Sequence, residues 1–319
     1  MSPLRIARRA RWALTGGAVA AELAAFTAWH SRRAQRRYPP AGDFVEVEGA
    51  RLHYVDRGAG RPVVLLHGLK GSVNEFTYSV MDALAEKYRA IAFDRSGYGH
   101  SERTGFDGSS PLVQARQLHA ALAKLSVERP VLVGHSMGAA TATAYAVQYQ
   151  GGLAGLVTLA GHTLPFDGPI GLSSQLAGLP LVGPLFVHTL VTPFGLLLAP
   201  LVLRGVLAPQ RPPRDYARAA AWTALRPGPF TASADDAHAA DDGLRLVYHH
   251  YPHLDLPVVI VHGRDDHVLS PNESLSFHRL VPGSEFIELS GCGHMPFFCD
   301  PGAVVAAIDR AWQLVDARA

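Results

Sequence analysis

The stretch VLVGHSMGAATA, residues 131–142, leaves this chain few folding options. Val131, Leu132 and Val133 have the branched, apolar character of a buried strand, and the small residues from Ala139 onward read as a helix. The turn between them must be completed within about four residues, with Ser136 at its apex. Such a serine is either a nucleophile or merely a residue in a tight bend.

The rest of the chain supplies a setting for it. After Pro39-Pro40, FVEVEGARLHYVDRG alternates about Gly49-Ala50 as a β-hairpin does. Strand-like and helix-like runs then take turns. PVVLLHG is followed by a helical pattern over 73–88, RAIAFD by one over 111–125, and PVLVGHS by one over 137–149. LAGLVTLAG, PVVIVHG and SEFIELS are further strands, with helices at about 274–280 and 303–314. This rhythm predicts an α/β fold, a mostly parallel twisted sheet covered by helices on both faces. One long stretch interrupts it. Residues 170–208 hold a single formal charge, Arg204, and prolines at 180, 184, 193 and 200 argue against one continuous helix. We expect short apolar helices forming an inserted cap over 162–254, covering Ser136 and lining an acyl pocket with inward-facing Leu and Phe side chains. The core is then 41–161 joined to 255–319, preceded by a separate segment over 1–40.

Composition narrows the partners. At 319 residues and 48% hydrophobic, the chain can bury a large core, and its net charge of +2 conceals an uneven distribution. Residues 1–37 carry eight arginines (5, 8, 9, 11, 32, 33, 36 and 37) against one acid, Glu22. The remainder holds 21 basic and 26 acidic side chains, so nothing suggests a nucleic-acid partner. The only cysteines, Cys292 and Cys299, are expected as free thiols, with pairing the alternative in an oxidising compartment. No Cys/His spacing suits a metal, and no cofactor is implied. The oligomeric state is left open.

The N-terminal run from Trp12 to His30 is Ala-rich and flanked by arginines on both sides. As a helix it nearly matches a hydrocarbon core of roughly 30 Å, although Glu22 sits near its middle. Membrane contact through residues 5–37, as a single-pass anchor, is the expectation. A signal peptide cleaved after Ala18-Val19-Ala20, leaving an exported protein, and a helix lying on a surface are the alternatives.

The chemistry returns to the bend. Gly134-His135-Ser136-Met137-Gly138 is G-x-S-x-G between a strand and a helix, and the start of the helix places the Met137 N–H beside any oxyanion that forms. Serine needs a base, and the base an acid to orient it. Asp265 and Asp266 follow the strand PVVIVHG, and His294 follows the last strand in SGCGHMPFF. His100, His135, His162 and His267 read as ordinary satisfied or solvated histidines.

From about Phe44 onward the chain resembles the α/β-hydrolase fold superfamily, in its serine-nucleophile, esterase- and lipase-like branch. HGLKGS (67–72), DRSGYGHS (94–101), GHSMG (134–138) and GRDDHVLSP through GCGH carry the resemblance, and Asp94 with its glycines looks like a structural turn. The family pattern puts the acid three residues after the strand-end glycine with a proline five further on, which maps to Gly263, Asp266 and Pro271. The resemblance thus implies a Ser136–His294–Asp266 triad, with a second oxyanion N–H from Leu69. It implies hydrolysis of an ester with a hydrophobic acyl or alcohol part through an acyl-enzyme. Perhydrolase, haloperoxidase or carbon–carbon hydrolase chemistry on the same residues is the alternative, and a non-catalytic ligand-binding protein a further one. Relatives that open epoxides or displace halide use an aspartate at the bend, so Ser136 argues against both.

Overall fold

Apolar runs of only five or six residues cannot bury themselves as helices, and they pair instead. The computed structural model describes residues 3–318 apart from Thr104, Phe106, Asp167 and Pro169, with side chains described from Thr15 onward. The chain opens with helix α1 (Pro3–Arg37), then the hairpin β1 (Asp43–Val47) and β2 (Ala50–Arg57). β3 (Pro62–Leu66), the short helices α2 (Asn74–Thr77) and α3 (Met81–Ala85), β4 (Arg89–Phe93) and α4 (Pro111–Lys124) follow. Next come β5 (Val131–His135), α5 (Met137–Tyr149) and β6 (Gly155–Leu159). Five helices intervene: α6 (Leu172–Ala177), α7 (Val182–Phe186), α8 (Thr192–Leu207), α9 (Arg214–Ala224) and α10 (Pro227–Val247). The chain ends with β7 (Val258–Gly263), α11 (Pro271–Leu280), β8 (Glu285–Leu289), α12 (Pro296–Cys299) and α13 (Pro301–Asp316).

The eight strands form one sheet in the order β1-β2-β4-β3-β5-β6-β7-β8, parallel from β4 to β8 and antiparallel at the β1–β2–β4 edge. Register splits the core in two. Ile91, Val64, Leu132, Leu156 and Val258 align across the strands and face one helix layer. Their neighbours Ala92, Leu65, Val133, Val157 and Val259 face the other. Burial on both faces is why these strands are continuously apolar, each Val or Leu contributing about 1.5–3 kcal/mol of gross transfer free energy. The expected α/β sheet is what forms.

Details differ from expectation for local reasons. The hairpin turns at Glu48-Gly49, both with positive φ, so Ala50 already belongs to β2. The helix expected over 73–88 is broken into α2 and α3. The Ser79 hydroxyl donates to the Glu75 carbonyl, the acceptor its own N–H would need to continue the helix, and that N–H bonds Phe76 instead. Cys292 and Cys299, expected as free thiols, are joined in a disulfide. The loop after β8 and the return through α12 bring their Cα atoms to 5.6 Å, within bridging range despite the sparse cysteine content.

The prolines do not interrupt the apolar segment as expected. α7, a π-helical stretch at Val187–Val191 and α8 run together as a 26-residue helix, Val182–Leu207. Pro184 falls in the first turn, where backbone N–H groups have no partner behind them. Pro193 follows the π stretch, whose wider spacing loosens the ladder ahead of the ring, and Pro200 alone stands in the interior of α8. Nor do its Leu and Phe side chains face mainly inward: Leu197 is 75% and Leu201 71% exposed, while Val187, Val191 and Leu207 are buried.

This helix, not the N-terminal one, is the described helix long and apolar enough to cross a membrane. α1 extends beyond the expected 12–30 span, and the side chains of Arg5, Arg8, Arg9, Arg11 and Trp12 lie outside the described residues. Its C-terminal third is committed to the body. Thr27, His30 and Ala34, on one helical face, are each at most 1% exposed. The His30 ring lies 4.8 Å from that of Trp222 in α9, and His100 donates through Nε2 to the Tyr38 carbonyl at 3.1 Å. Ala34→Asp places a carboxylate in this dry contact. Tryptic cleavage within residues 32–37 should become at least about tenfold faster, and an unchanged rate would mean that α1 is not docked in solution.

Candidate active site

Each strand of the parallel sheet ends at the same rim, and the site is assembled from the loops and turns that leave β3, β5, β7 and β8 there. After β5 the chain reverses into α5 at Ser136, whose φ of 49° and ψ of −122° are strained for any residue with a side chain. The bend closes because residues 134 and 138 are glycines. A methyl on Gly138 would meet the carbonyl oxygens of Leu66 and His67, and one on Gly134 would meet the backbone of Ala139.

Three sequence-selected residues come together here. His294 Nδ1 lies 2.8 Å from Asp266 Oδ2, and its Nε2 lies 3.0 Å from Ser136 Oγ. The carboxylate can only accept, so Nδ1 carries the proton and Nε2 accepts from the serine hydroxyl. Burial lowers the His294 pKa below its usual 6.5, and Asp266 only partly opposes this. Burial pushes the Asp266 carboxyl up, but hydrogen bonds from His262 and His294, with backbone N–H groups behind them, hold it well below the carboxylate range. Val268 N and Leu269 N donate to its Oδ1 at 2.7 and 3.0 Å. Asp265 contributes through its backbone, its N–H donating to the Cys292 carbonyl at 2.8 Å.

The two segments that carry the expected oxyanion residues, Leu69 and Met137, both adjoin this serine. Met137 is the first residue of α5, so its N–H has no carbonyl one turn behind it. Leu69 sits in the loop after β3, which passes so close that a methyl on Gly68 would lie 3.0 Å from Ser136 Cβ. In that loop Gly68 N is engaged by Glu75 and Gly71 N by the Gly68 carbonyl.

Beneath these groups lies a layer that sequence reasoning did not single out. His135 directs Nε2 to the His294 carbonyl at 3.0 Å and Nδ1 to Glu75 Oε2 at 2.7 Å. Two acceptors require both ring nitrogens to donate, so His135 is an imidazolium paired with a buried carboxylate. Burial works against both charges, and their mutual attraction outweighs it, raising the His135 pKa and lowering that of Glu75. Glu75 also accepts from Gly68 N at 3.1 Å, so one carboxylate ties the β3 loop, the bend and the His294 backbone together. His262 donates to Asp266 Oδ2 at 3.0 Å. Arg95 donates to the His67 carbonyl at 3.0 Å and to Asp236 of α10 at 2.7 Å, linking the inserted helices to the β3 loop. Glu75 carried no motif signal. His135 was read as satisfied, which it is, but by a charge 60 positions away.

The remaining selected residues have structural partners. Asp94 accepts from Val73 N and His100 N, both at 2.8 Å, and from His53 Nδ1 at 2.7 Å. His162 lies between Glu273 of α11 at 3.0 Å and Asp241 of α10 at 3.3 Å; burial opposes its charge, but both carboxylates raise its pKa to about 9. Among the described residues no group of three or more His, Cys, Asp or Glu side chains converges as a metal site would.

The Glu75–His135 pair has a definite pH signature. Glu75 has a depressed folded pKa, so its contribution is present above 4.5 and lost as pH falls through the folded value. His135 has a raised one, so its contribution is full below 6.5 and lost as pH rises through the folded value. Glu75→Gln should cost on the order of 3 kcal/mol, most between pH 4.5 and 6.5 and less on either side. A denaturant series across pH with a flat difference would disprove the pairing.

Known proteins share this arrangement of elements. Residues 61–301 match the alpha/beta hydrolase fold family. An uncharacterized protein of Mycobacterium tuberculosis is 27% identical over 292 residues, covering 85% of this chain and 81% of that one. A 2-hydroxy-6-oxo-2,4-heptadienoate hydrolase of Pseudomonas putida is 28% identical over 259 residues, covering 79% of this chain and 89% of that one. The structure of an esterase from Rhodococcus sp. superposes with a TM-score of 0.66 at 25% identity, covering 85% and 98% of the two chains. With the matched region spanning most of the chain, this protein belongs to the alpha/beta hydrolase fold family.

Proposed function

We propose that this protein is a serine hydrolase cleaving a carboxylic ester through an acyl-enzyme, with Ser136 as nucleophile, His294 as base and Asp266 as the acid that orients it. The observation that carries the reading is the continuous line from Ser136 Oγ through His294 to Asp266, at 3.0 and 2.8 Å. Ser136 Oγ bonds the ester carbonyl carbon as its proton passes to His294 Nε2, and the oxyanion is met by the N–H groups of Leu69 and Met137. Collapse breaks the carbon–oxygen bond, and His294 returns the proton to the leaving alcohol. Water, activated by the same nitrogen, then releases the acid.

Carbon–carbon bond hydrolysis on the same residues is a second reading, favoured by the likeness to the Pseudomonas putida hydrolase. A separate part of the proposal concerns place: the arginine-rich segment 5–37 holds the body at a membrane, supported by eight arginines against one acid beside an otherwise acidic chain.

A fluorophosphonate probe should label Ser136, and Ser136→Ala and His294→Ala should each lower kcat on p-nitrophenyl esters by roughly a thousandfold or more. Absence of both labelling and ester turnover would refute the ester reading, and turnover of a 2-hydroxy-6-oxo-dienoate alone would favour the second.

The pH profile tests the base. His294 must be neutral to accept the proton, and its pKa lies below 6.5, so the acid limb of kcat/KM should fall below that pH. Asp266→Asn removes the group that opposes this lowering. The limb should move further down as the plateau collapses, whereas Asp265→Asn should change neither. The reverse ranking would move the acid to Asp265.

A further inference from the structure

The helix Val182–Leu207 turns an apolar stripe to solvent over its later half. Phe194, Leu197, Leu198, Leu201 and Val202 recur at three- and four-residue spacing, Leu185 stands nearer the helix start, and each is at least half exposed. A soluble surface rarely leaves so much contiguous apolar area uncovered. The opposite side of the same helix is held to the protein. Val187 and Val191 pack with Phe230, and Thr192 Oγ1 donates to the Leu225 carbonyl at 2.8 Å. A helix fixed in this way cannot leave the body to cross a bilayer, but it can lie flat against one.

Charge decides what it lies against. α1 packs alongside this helix and α9 through its buried Thr27, His30 and Ala34 face. Its exposed side bears Arg32, Arg33, Arg36 and Arg37 together with Phe26 and Trp29, and the Arg33 guanidinium stands 5.5 Å over the Trp29 ring. Residues 170–208 contain no acid. Two copies meeting on this face would bring their arginines together and bury them without counter-charge. An anionic lipid surface supplies that counter-charge and takes the leucines into its acyl boundary.

We infer that the exposed stripe of Val182–Leu207, together with the arginines on the exposed side of α1, which packs against that helix, is an interfacial docking surface for an anionic lipid bilayer. The inference deepens the membrane part of the proposed function and does not depend on the hydrolytic part. It makes the inserted helix a second contact, in which apolar insertion by the cap adds to charge attraction by α1.

Co-sedimentation of the full chain with vesicles of phosphatidylcholine alone, and of phosphatidylcholine with phosphatidylglycerol, tests it. The wild type should pellet with the anionic vesicles, far more weakly with the neutral ones. Leu197→Asp with Leu201→Asp should lower that partition at least about a hundredfold while the circular dichroism is unchanged. Leu197→Asn with Leu201→Asn provides a milder pair should the charges disturb folding. Arg32→Gln, Arg33→Gln, Arg36→Gln and Arg37→Gln together should abolish the preference for anionic lipid. If the leucine variants bind as the wild type does while the arginine variant does not, α1 alone makes the contact: the docking surface is disproved and the membrane reading of residues 5–37 stands. If the wild type binds neither vesicle, both fail. A dimer that only the leucine variants dissociate, with no vesicle binding, would assign the face to a second copy and equally overturn the inference.

Discussion

The structure depends on how tightly β5 can be turned into α5. A serine at φ 49° is tolerable only if the segments on either side pack close enough to hold it there. The glycines at 134 and 138 allow that approach: the end of β3 passes directly over Gly138, and the first turn of α5 presses on Gly134. The strain is offset by the burial of β3, β5 and β6, whose Val and Leu side chains are covered on both faces. Exposure of the hydroxyl at the rim and a helix N-terminus behind it follow from the same bend. The orientation of Ser136 and its electrostatic setting thus have one physical origin.

Below the bend, the protein buries charge rather than avoiding it. An isolated carboxylate at Glu75 or imidazolium at His135 would cost several kcal/mol, so each is retained only with its partner. Three loops from different strands converge on the pair, which therefore sets their relative positions. Arg95 and Asp236 do the same between the β3 loop and α10. Movement of the inserted helices would be felt in the loop after β3, because one guanidinium holds both.

The long apolar helix is divided in its loyalties. One side packs on the body and the other faces outward, so an acyl pocket lined by residues 170–208 is not what its burial pattern describes. The inserted residues that approach the serine rim belong instead to α6 and α10: Ser173 and Phe230 near Lys70, and Asp241 beside His162, whose N–H donates to the Ser136 carbonyl.

The sequence by itself determined the sheet and the three residues that meet at its rim. Five-residue apolar runs have no other way to bury themselves, the spacing of Gly134, Ser136 and Gly138 is set by local backbone geometry, and Asp266 is singled out from Asp265 by the family resemblance at Gly263, Asp266 and Pro271. Tertiary structure alone decided the rest. Glu75 and His135 are 60 positions apart and become a pair only when β3 and β5 lie side by side. The two cysteines meet because α12 folds back on the loop after β8. Whether the leucines of 182–207 face inward or outward depends on which side α1, α9 and Phe230 cover, since a uniformly apolar helix carries no periodicity to mark its buried face.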